Sequence, residues 1–441
     1  MAATSFIDLN INNAEQFKES VSEPTPNTKL YLTFGKTDPW ANEASPNVAN
    51  TSSATIYEVW KNMIGGKKIV GSDIAHVIPR IDWTMDTRYD AYHHLRDDLY
   101  DTGSKPYVVT NEWNVYKCIA NNYSSNSIVK PTSVNPSIIS TTSDGYHWKY
   151  MYTVSDAEQL RFTTTSYMPV KTLSINDGSL QWSVQESAVD GAIHYIEVLN
   201  GGDGYTNANV ITVTVTGDGT DATAFASTNT ISNTINSIIM ITNGSQYTTA
   251  NVSISSSIGA NATARAIISP HGGHGANPLY ELGGKNLMVN GRLKYDEGGK
   301  FTITNDFRQI SLIKDPLLKG TSNTVVNTAF LQASVIVTVG SGDYDEDEWV
   351  YQGASLNNST FQGKVLAWYN TTGKLYLINT KGIPTASQGV IGTQSAISRI
   401  ISSVTEEEAE RYSGRILYVD NIKPITRAED QIEDFKLLIK F

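Results

Sequence analysis

The chain has 441 residues, room for two to four domains at about 150 residues each and for a core that needs no covalent staple. Thirty-three Lys and Arg against 44 Asp and Glu give a net charge of −11, which argues against a basic nucleic-acid-binding surface. Charged residues are only 17% and apolar ones 40%, which excludes intrinsic disorder and leaves the polarity to Ser, Thr and Asn, residues of strands and turns. Cys118 is the single cysteine, so no intrachain disulfide can form. The first residues lack the basic and apolar regions of a secretory signal, and the apolar stretches 235–241 and 335–339 are too short to span a bilayer. These features predict a soluble protein made in a reducing cytoplasm.

Few helices are expected. Residues 13–19 suit a short one. Ile56, Val59, Trp60 and Met63 fall on one helical face, with Ser52 or Ser53 to cap its start and Gly65 to close it. Trp113, Val115 and Lys117 alternate with Asn114, Tyr116 and Cys118, which predicts a half-buried strand. Tyr146, Trp148, Tyr150 and Tyr152 alternate likewise, as do Ile211, Val213 and Val215. Residues 361–368 and 373–378 flank a four-residue turn and read as a hairpin, in a small barrel or a lone sheet. Thr405-Glu406-Glu407-Glu408 matches a capping box and predicts a helix ending by Gly414. The run 435–441 is a last compact apolar segment.

The middle of the chain repeats itself. Ile193-x-x-Ile196 leads to Asn200-Gly201, then Tyr205-Thr206-x-Ala208-Asn209-Val210, Gly217 and Ala222-Thr223-Ala224. The series returns as Ile235-x-x-Ile238, Asn243-Gly244, Tyr247-Thr248-x-Ala250-Asn251-Val252, Gly259 and Ala262-Thr263-Ala264. Each copy reads as a small β-unit that must bury one face against its neighbour.

Catalytic patterns are missing. Neither Gly-x-Ser-x-Gly nor His-Glu-x-x-His occurs. Gly65-Gly66-Lys67-Lys68 lacks the leading glycine and the Ser or Thr of a phosphate loop, and reads as a helix-ending turn. Gly201 to Gly204 precedes a strand and reads as a turn. Asp343 to Glu348 fails the EF-hand spacing and reads as a solvated acidic loop. His271 and His274 lie three apart in a glycine-rich turn with no acid or Cys inside the motif, so no metal is assigned. His93 and His94 would point to opposite faces of a strand. Cys118 reads as a small core residue. No catalytic residue and no cofactor is expected.

Two segments are dense in aromatic and charged residues: 31–40, ending in Trp40, and 77–92. In the second, Arg80, Asp82, Asp86, Arg88 and Asp90 interleave with Trp83, Tyr89 and Tyr92. That mixture suits a protein–protein interface, and Trp40, Arg80, Trp83, Arg88 and Tyr89 are the candidate contact residues.

These segments, with Ile56–Gly65, Trp113–Cys118, Asp144–Tyr150, Phe307–Leu317 and Ser413 to the tail at Phe441, resemble the gene-product-eight baseplate wedge subunits of T-even-like contractile-tailed phages. The repeat and the Gly-Gly-His-Gly turn resemble add-on modules in tail proteins of marine relatives, notably cyanophages. The resemblance implies a non-enzymatic subunit that forms a homodimer and packs against other wedge proteins. Such a subunit belongs to the tail baseplate of the virion, is assembled in the host cytoplasm, and engages neither nucleic acid nor membrane. It also implies a mainly β fold. With the pattern reading this becomes a discontinuous antiparallel β-sandwich-like core with a few short helices and two inserted small β-modules. The core would comprise 1–190, 285–320 and 405–441, and the insertions 191–284 and 321–404. A glycan-binding adhesin, with the repeat as binding module, and a tail-borne cell-wall hydrolase are the rival readings.

Overall fold

The computed structural model describes residues 6–25, 28–101, 103–303 and 305–441. The chain opens with α1 (Ile7–Ser22), β1 (Leu30–Gly35), α2 (Ser53–Asn62), β2 (Met63–Ile69), β3 (Ile74–Pro79), β4 (Tyr107–Val109), β5 (Asn114–Asn121), β6 (Ile139–Thr141), β7 (Tyr146–Thr153), α3 (Asp156–Phe162), β8 (Tyr167–Pro169) and α4 (Leu180–Glu186). The repeat follows as β9 (Ile193–Asn200), β10 (Ile211–Gly217), β11 (Thr220–Asn229), β12 (Thr234–Ser245), β13 (Ala250–Ser256) and β14 (Thr263–Ile268). Then come α5 (Pro278–Glu281), β15 (Asn286–Lys294), β16 (Asp306–Lys314), β17 (Phe330–Leu331), β18 (Ser334–Val339), β19 (Trp349–Gly353), β20 (Ser359–Tyr369), β21 (Lys374–Gly382), β22 (Gly389–Gly392), β23 (Ser398–Thr405), β24 (Arg415–Thr426) and β25 (Ile432–Lys440). The protein is mainly β, in several antiparallel sheets. Among the described residues no helix is long and apolar enough to cross a membrane.

The chain divides into two compact units, each discontinuous in sequence: residues up to 15, 75–288 and 438–441 form one, and 16–74 with 289–437 the other. In the first unit β4-β5-β7-β6 form one sheet. The expected half-buried strand is buried on both faces. Val115 and Met151 face one apolar cluster with Val109, Tyr152 and Met168, while Tyr116, Cys118 and Trp148 face another with Tyr89, Tyr146 and Val184. The segment before β4 and helix α4 cover the second face, so alternation here marks two cores rather than core and solvent. Trp113 adopts φ +62 just before β5 and is not part of the strand.

The repeat folds as two interlocked halves in the order β13-β10-β11-β12-β9-β14. Exchanging the copies maps one observed ladder onto another. Ala226 faces Ile238 and its counterpart Ala266 faces Ile196. The bulge between Thr223 and Ala224 recurs between Thr263 and Ala264, and that between Ser227 and Thr228 recurs between Ile267 and Ile268. β9 meets β12 at Ile196 and Ile238, the same position in the two copies, so a pseudo-two-fold axis passes there. Each copy supplies a tyrosine to the other. A Cβ on Gly259 would lie 2.5 Å from the Tyr205 ring, and one on Gly219 2.4 Å from the Tyr247 ring. Both rings are buried. Gly202 and Gly244 hold the matching turns at φ +66 and +62, with a backbone oxygen 2.4 Å from any added Cβ in both copies.

In the second unit β17-β2-β1-β16-β24 form a five-stranded sheet, and β18-β21-β20-β19-β22-β23 close into a barrel. The predicted hairpin is β20–β21, turned through Asn370–Thr372 and a left-handed Gly373. α2 starts where expected, with the Ser52 hydroxyl accepting from Thr55 N. It stops at Asn62, because Gly65 and Gly66 belong to β2 and not to a turn. The missing side chain of Gly66 admits the Phe330 ring, 2.4 Å from any added Cβ, and that of Gly65 admits the Phe301 ring at 2.5 Å. No helix follows Thr405. Glu407 accepts from Lys319 at 3.2 Å and Ser334 Oγ at 3.0 Å, Glu408 accepts from Leu331 N at 2.8 Å, and Ala409 bridges Leu318. These partners take the groups a helix would need, so tertiary contacts override the capping box. The acidic loop is not fully solvated either. Glu348 is buried and accepts from Asp345 N, Gln394 N, Ser395 N and Ser395 Oγ at 2.7–3.2 Å.

Candidate functional site

Residues 80–90 form a strap over the β4-β5-β7-β6 sheet. Backbone bonds fasten it: Arg80 N to Ser166 O, Trp83 N to Val109 O, Asp86 N to Ser127 O and Asp90 N to Lys105 O, all at 2.8–2.9 Å. Asp86 turns the chain at φ +61. The Tyr89 ring is fully buried, edge-on to Trp148 at 5.7 Å, and its hydroxyl receives Thr84 N at 2.7 Å and donates to Thr84 O at 3.2 Å. Tyr89 is therefore core, with no surface left for a partner, and this corrects its listing among contact residues. Alternation of Trp83 and Tyr89 with charges gave no way to tell which ring turns inward.

The other strap candidates reach the surface. Arg80 bonds Asp82 at 2.9 Å and stacks over Trp113 at 4.9 Å. Trp83 is half-buried, its indole N–H donating to Ser127 Oγ at 3.2 Å. Arg88 and Met85 are exposed. Trp40 belongs to the second unit. Its indole N–H donates to Ile422 O at 3.0 Å and Lys36 covers its ring at 4.5 Å. Arg308, which the sequence reading did not single out, fixes that loop through Thr37 O at 2.6 Å and Glu43 at 2.9 Å. The structure thus groups Arg80, Trp83 and Arg88 on one strap, with Trp40 on a separate loop.

A buried ionic cluster was also missed. Lys117 Nζ lies 2.6 Å from Glu281 Oε2, with both side chains under 5% exposed. Glu281 Oε1 receives Gly275 N at 2.7 Å and Asn277 N at 3.2 Å. Tyr92 lies over Lys117 at 4.4 Å and edge-on to His274 at 4.7 Å. Burial alone would raise the Glu281 carboxyl, but Lys117 and His274 outweigh it and bring it to about 2. Burial, then Lys117, lowers His274 to about 3, so it is neutral. Burial likewise lowers Lys117, against the pull of Glu281. The acid that the Gly-Gly-His-Gly turn lacked is thus Glu281, a few residues on, and the turn closes a structural ion pair. The paired charges and backbone donors suit a fixed anchor rather than proton transfer. His93 and His94 are not on a strand; their rings stack at 5.1 Å. The Cys118 thiol is fully buried, and burial raises it well above its usual value, so it is no nucleophile. Among the described residues no cluster of His, Cys, Asp or Glu could hold a metal ion.

Residues 3–138, which include the strap, match the family model described as Bacteriophage T4, Gp8. The similarity to gp8 lies in this N-terminal segment. Over 107 residues the chain is 35% identical to the baseplate wedge protein gp8 of Enterobacteria phage T4, an alignment covering 22% of this chain and 31% of that protein. The chain thus spans less than a third of the length of the curated relative it matches. The gp8 match takes in β1 to β5 and both candidate segments, 31–40 and 77–92. The resembling stretches 144–150, 307–317 and 413–441 lie beyond it.

Proposed function

We propose that this chain is a structural, non-catalytic subunit of a contractile-tail baseplate wedge. It forms a homodimer, packs against other wedge proteins, and resides in the virion baseplate. The observation that carries this reading is the gp8 match across residues 3–138, which includes the strap with its exposed Arg88 and half-exposed Trp83. Aromatic and Arg anchors of this kind supply interface affinity, and flanking charges such as Asp82 and Asp86 supply register. Trp40, Arg80, Trp83 and Arg88 are the contact residues. The repeat (191–284) and the barrel region (321–404) are insertions into the wedge core. The adhesin and hydrolase readings gain no support from the gp8 match.

The test is co-expression of the full chain with neighbouring wedge proteins, followed by native mass spectrometry and electron microscopy. A defined complex is expected; a chain that ignores every neighbour overturns the proposal. The double variant Trp83→Ala, Arg88→Ala should stay folded and lose at least tenfold in wedge affinity.

A further inference from the structure

The pseudo-two-fold of the repeat predicts that its two long strand pairs, β14–β9 and β11–β12, present equivalent outer faces. The residues on them are not equivalent. On β14–β9 the outer pair is Arg265 and Glu197, and this face rests on other residues of the same unit. Arg265 and Glu197 approach His93 at 3.5 and 4.0 Å, Tyr195 packs edge-on against His147 at 5.5 Å, and Ile267 is buried. On β11–β12 the matching pair is Phe225 and Ile239, 46% and 45% exposed. Ile241, the extra residue of the bulge, is 65% exposed beside them, and Thr223 and Thr242 share a 2.7 Å hydrogen bond at the edge. Neither Phe225 nor Ile239 fills the interior, which is already packed by Ile196, Ile235, Ile238 and both tyrosines. Apolar residues in this position, where the other copy carries a charged pair, serve contact and not folding.

Charge identifies the occupant. Between Asp221 and Arg265 the sequence holds no Asp, Glu, Lys, Arg or His, on a chain of net charge −11. A basic partner would be drawn to the acidic surface elsewhere and would find nothing to pair with here. Two copies of this chain repel each other generally, and this uncharged face is where they can meet at least electrostatic cost. A twisted two-stranded face also packs on its own copy about 10 Å away, with the rows interdigitating. We propose that the β11–β12 face, centred on Phe225, Ile239 and Ile241, is a self-association surface joining two copies of this chain through the same face. The patch is small, so the contact is weak alone and tells at the local concentrations of an assembly.

Because Cys118 is buried, a single surface cysteine gives a clean readout. Ile241→Cys and Phe225→Cys in the full chain, treated with a short bismaleimide at high protein concentration, should give covalent dimers at least tenfold above Ser253→Cys, an exposed position on β13. Ile241→Asp, checked for fold by circular dichroism, should weaken self-association at least tenfold in sedimentation velocity. Cross-linking no greater than for Ser253→Cys overturns the proposal. A dimer that sediments normally yet fails to cross-link at 225 and 241 uses another face; that also overturns this surface while leaving the wedge reading standing.

Discussion

The repeat and the barrel are both six-stranded, yet they are held by different means. The repeat closes by shape: each copy's tyrosine lies on the other copy's glycine, and its interior cluster contains no charged residue. The barrel closes by pinned charges around an apolar centre. Glu348 collects four donors, Arg399 reaches Thr338 Oγ1 at 3.0 Å and Gly342 O at 2.9 Å, and Lys364 bonds Asp38 at 2.6 Å and Asp347 at 2.7 Å. A duplicated unit brings its own complementary surface, since what fits one copy fits the other. A barrel with no internal copy to lean on fixes its loops one polar contact at a time.

The sharpest way to break this contrast is to remove a crossed ring. Tyr205→Ala and Tyr247→Ala should each cost about 3–5 kcal/mol, and the two losses should agree within about 1 kcal/mol if the pseudo-symmetry is energetic as well as geometric. Denaturant unfolding measures both. Glu281→Gln, at the turn where the chain leaves the repeat, removes one partner of a buried pair and should cost about 3 kcal/mol. Glu348→Gln in the barrel should cost about 1–3 kcal/mol by leaving donors unmet. A final test is pH. His274 in the fold binds its proton far more weakly than in the unfolded chain, and Glu281 does the same. The unfolded state therefore takes up more protons on acidification. Their contribution is present in full above about pH 6.5 and is lost as pH falls through 6.5 to 3 for His274 and through 4.5 to 2 for Glu281. His274→Phe should flatten the upper part of that acid limb. Replacing the surface Thr223 by Val should change stability by no more than about 0.5 kcal/mol.

The sequence was a good guide to what is periodic and a poor one to what is tertiary. The mainly β character, the β20–β21 hairpin and the α2 start follow from local pattern. Alternation in β5 and β7 could not reveal that both faces are covered, because a cover is supplied from elsewhere in the chain. Thr405 to Glu408 carries a true capping signal that Lys319, Ser334 and Leu331 override. Of the candidate contacts, aromatic and charged density found the strap, but only coordinates separate buried Tyr89 from half-exposed Trp83. The ion pair Lys117–Glu281 joins residues far apart in sequence and had no local signal beyond the turn that holds it.

The crossed tyrosines also bear on how the protein is made. Tyr205 leaves the ribosome well before Gly259 and the strand ending at Ile268, on which its burial depends. At 5–20 residues per second the first copy waits roughly 3–13 seconds with its ring and its hydrophobic rows unpaired. During that interval the nearest matching half can belong to another nascent chain on the same message. Faster translation through residues 205–268 shortens the interval in which the first copy stands unpaired.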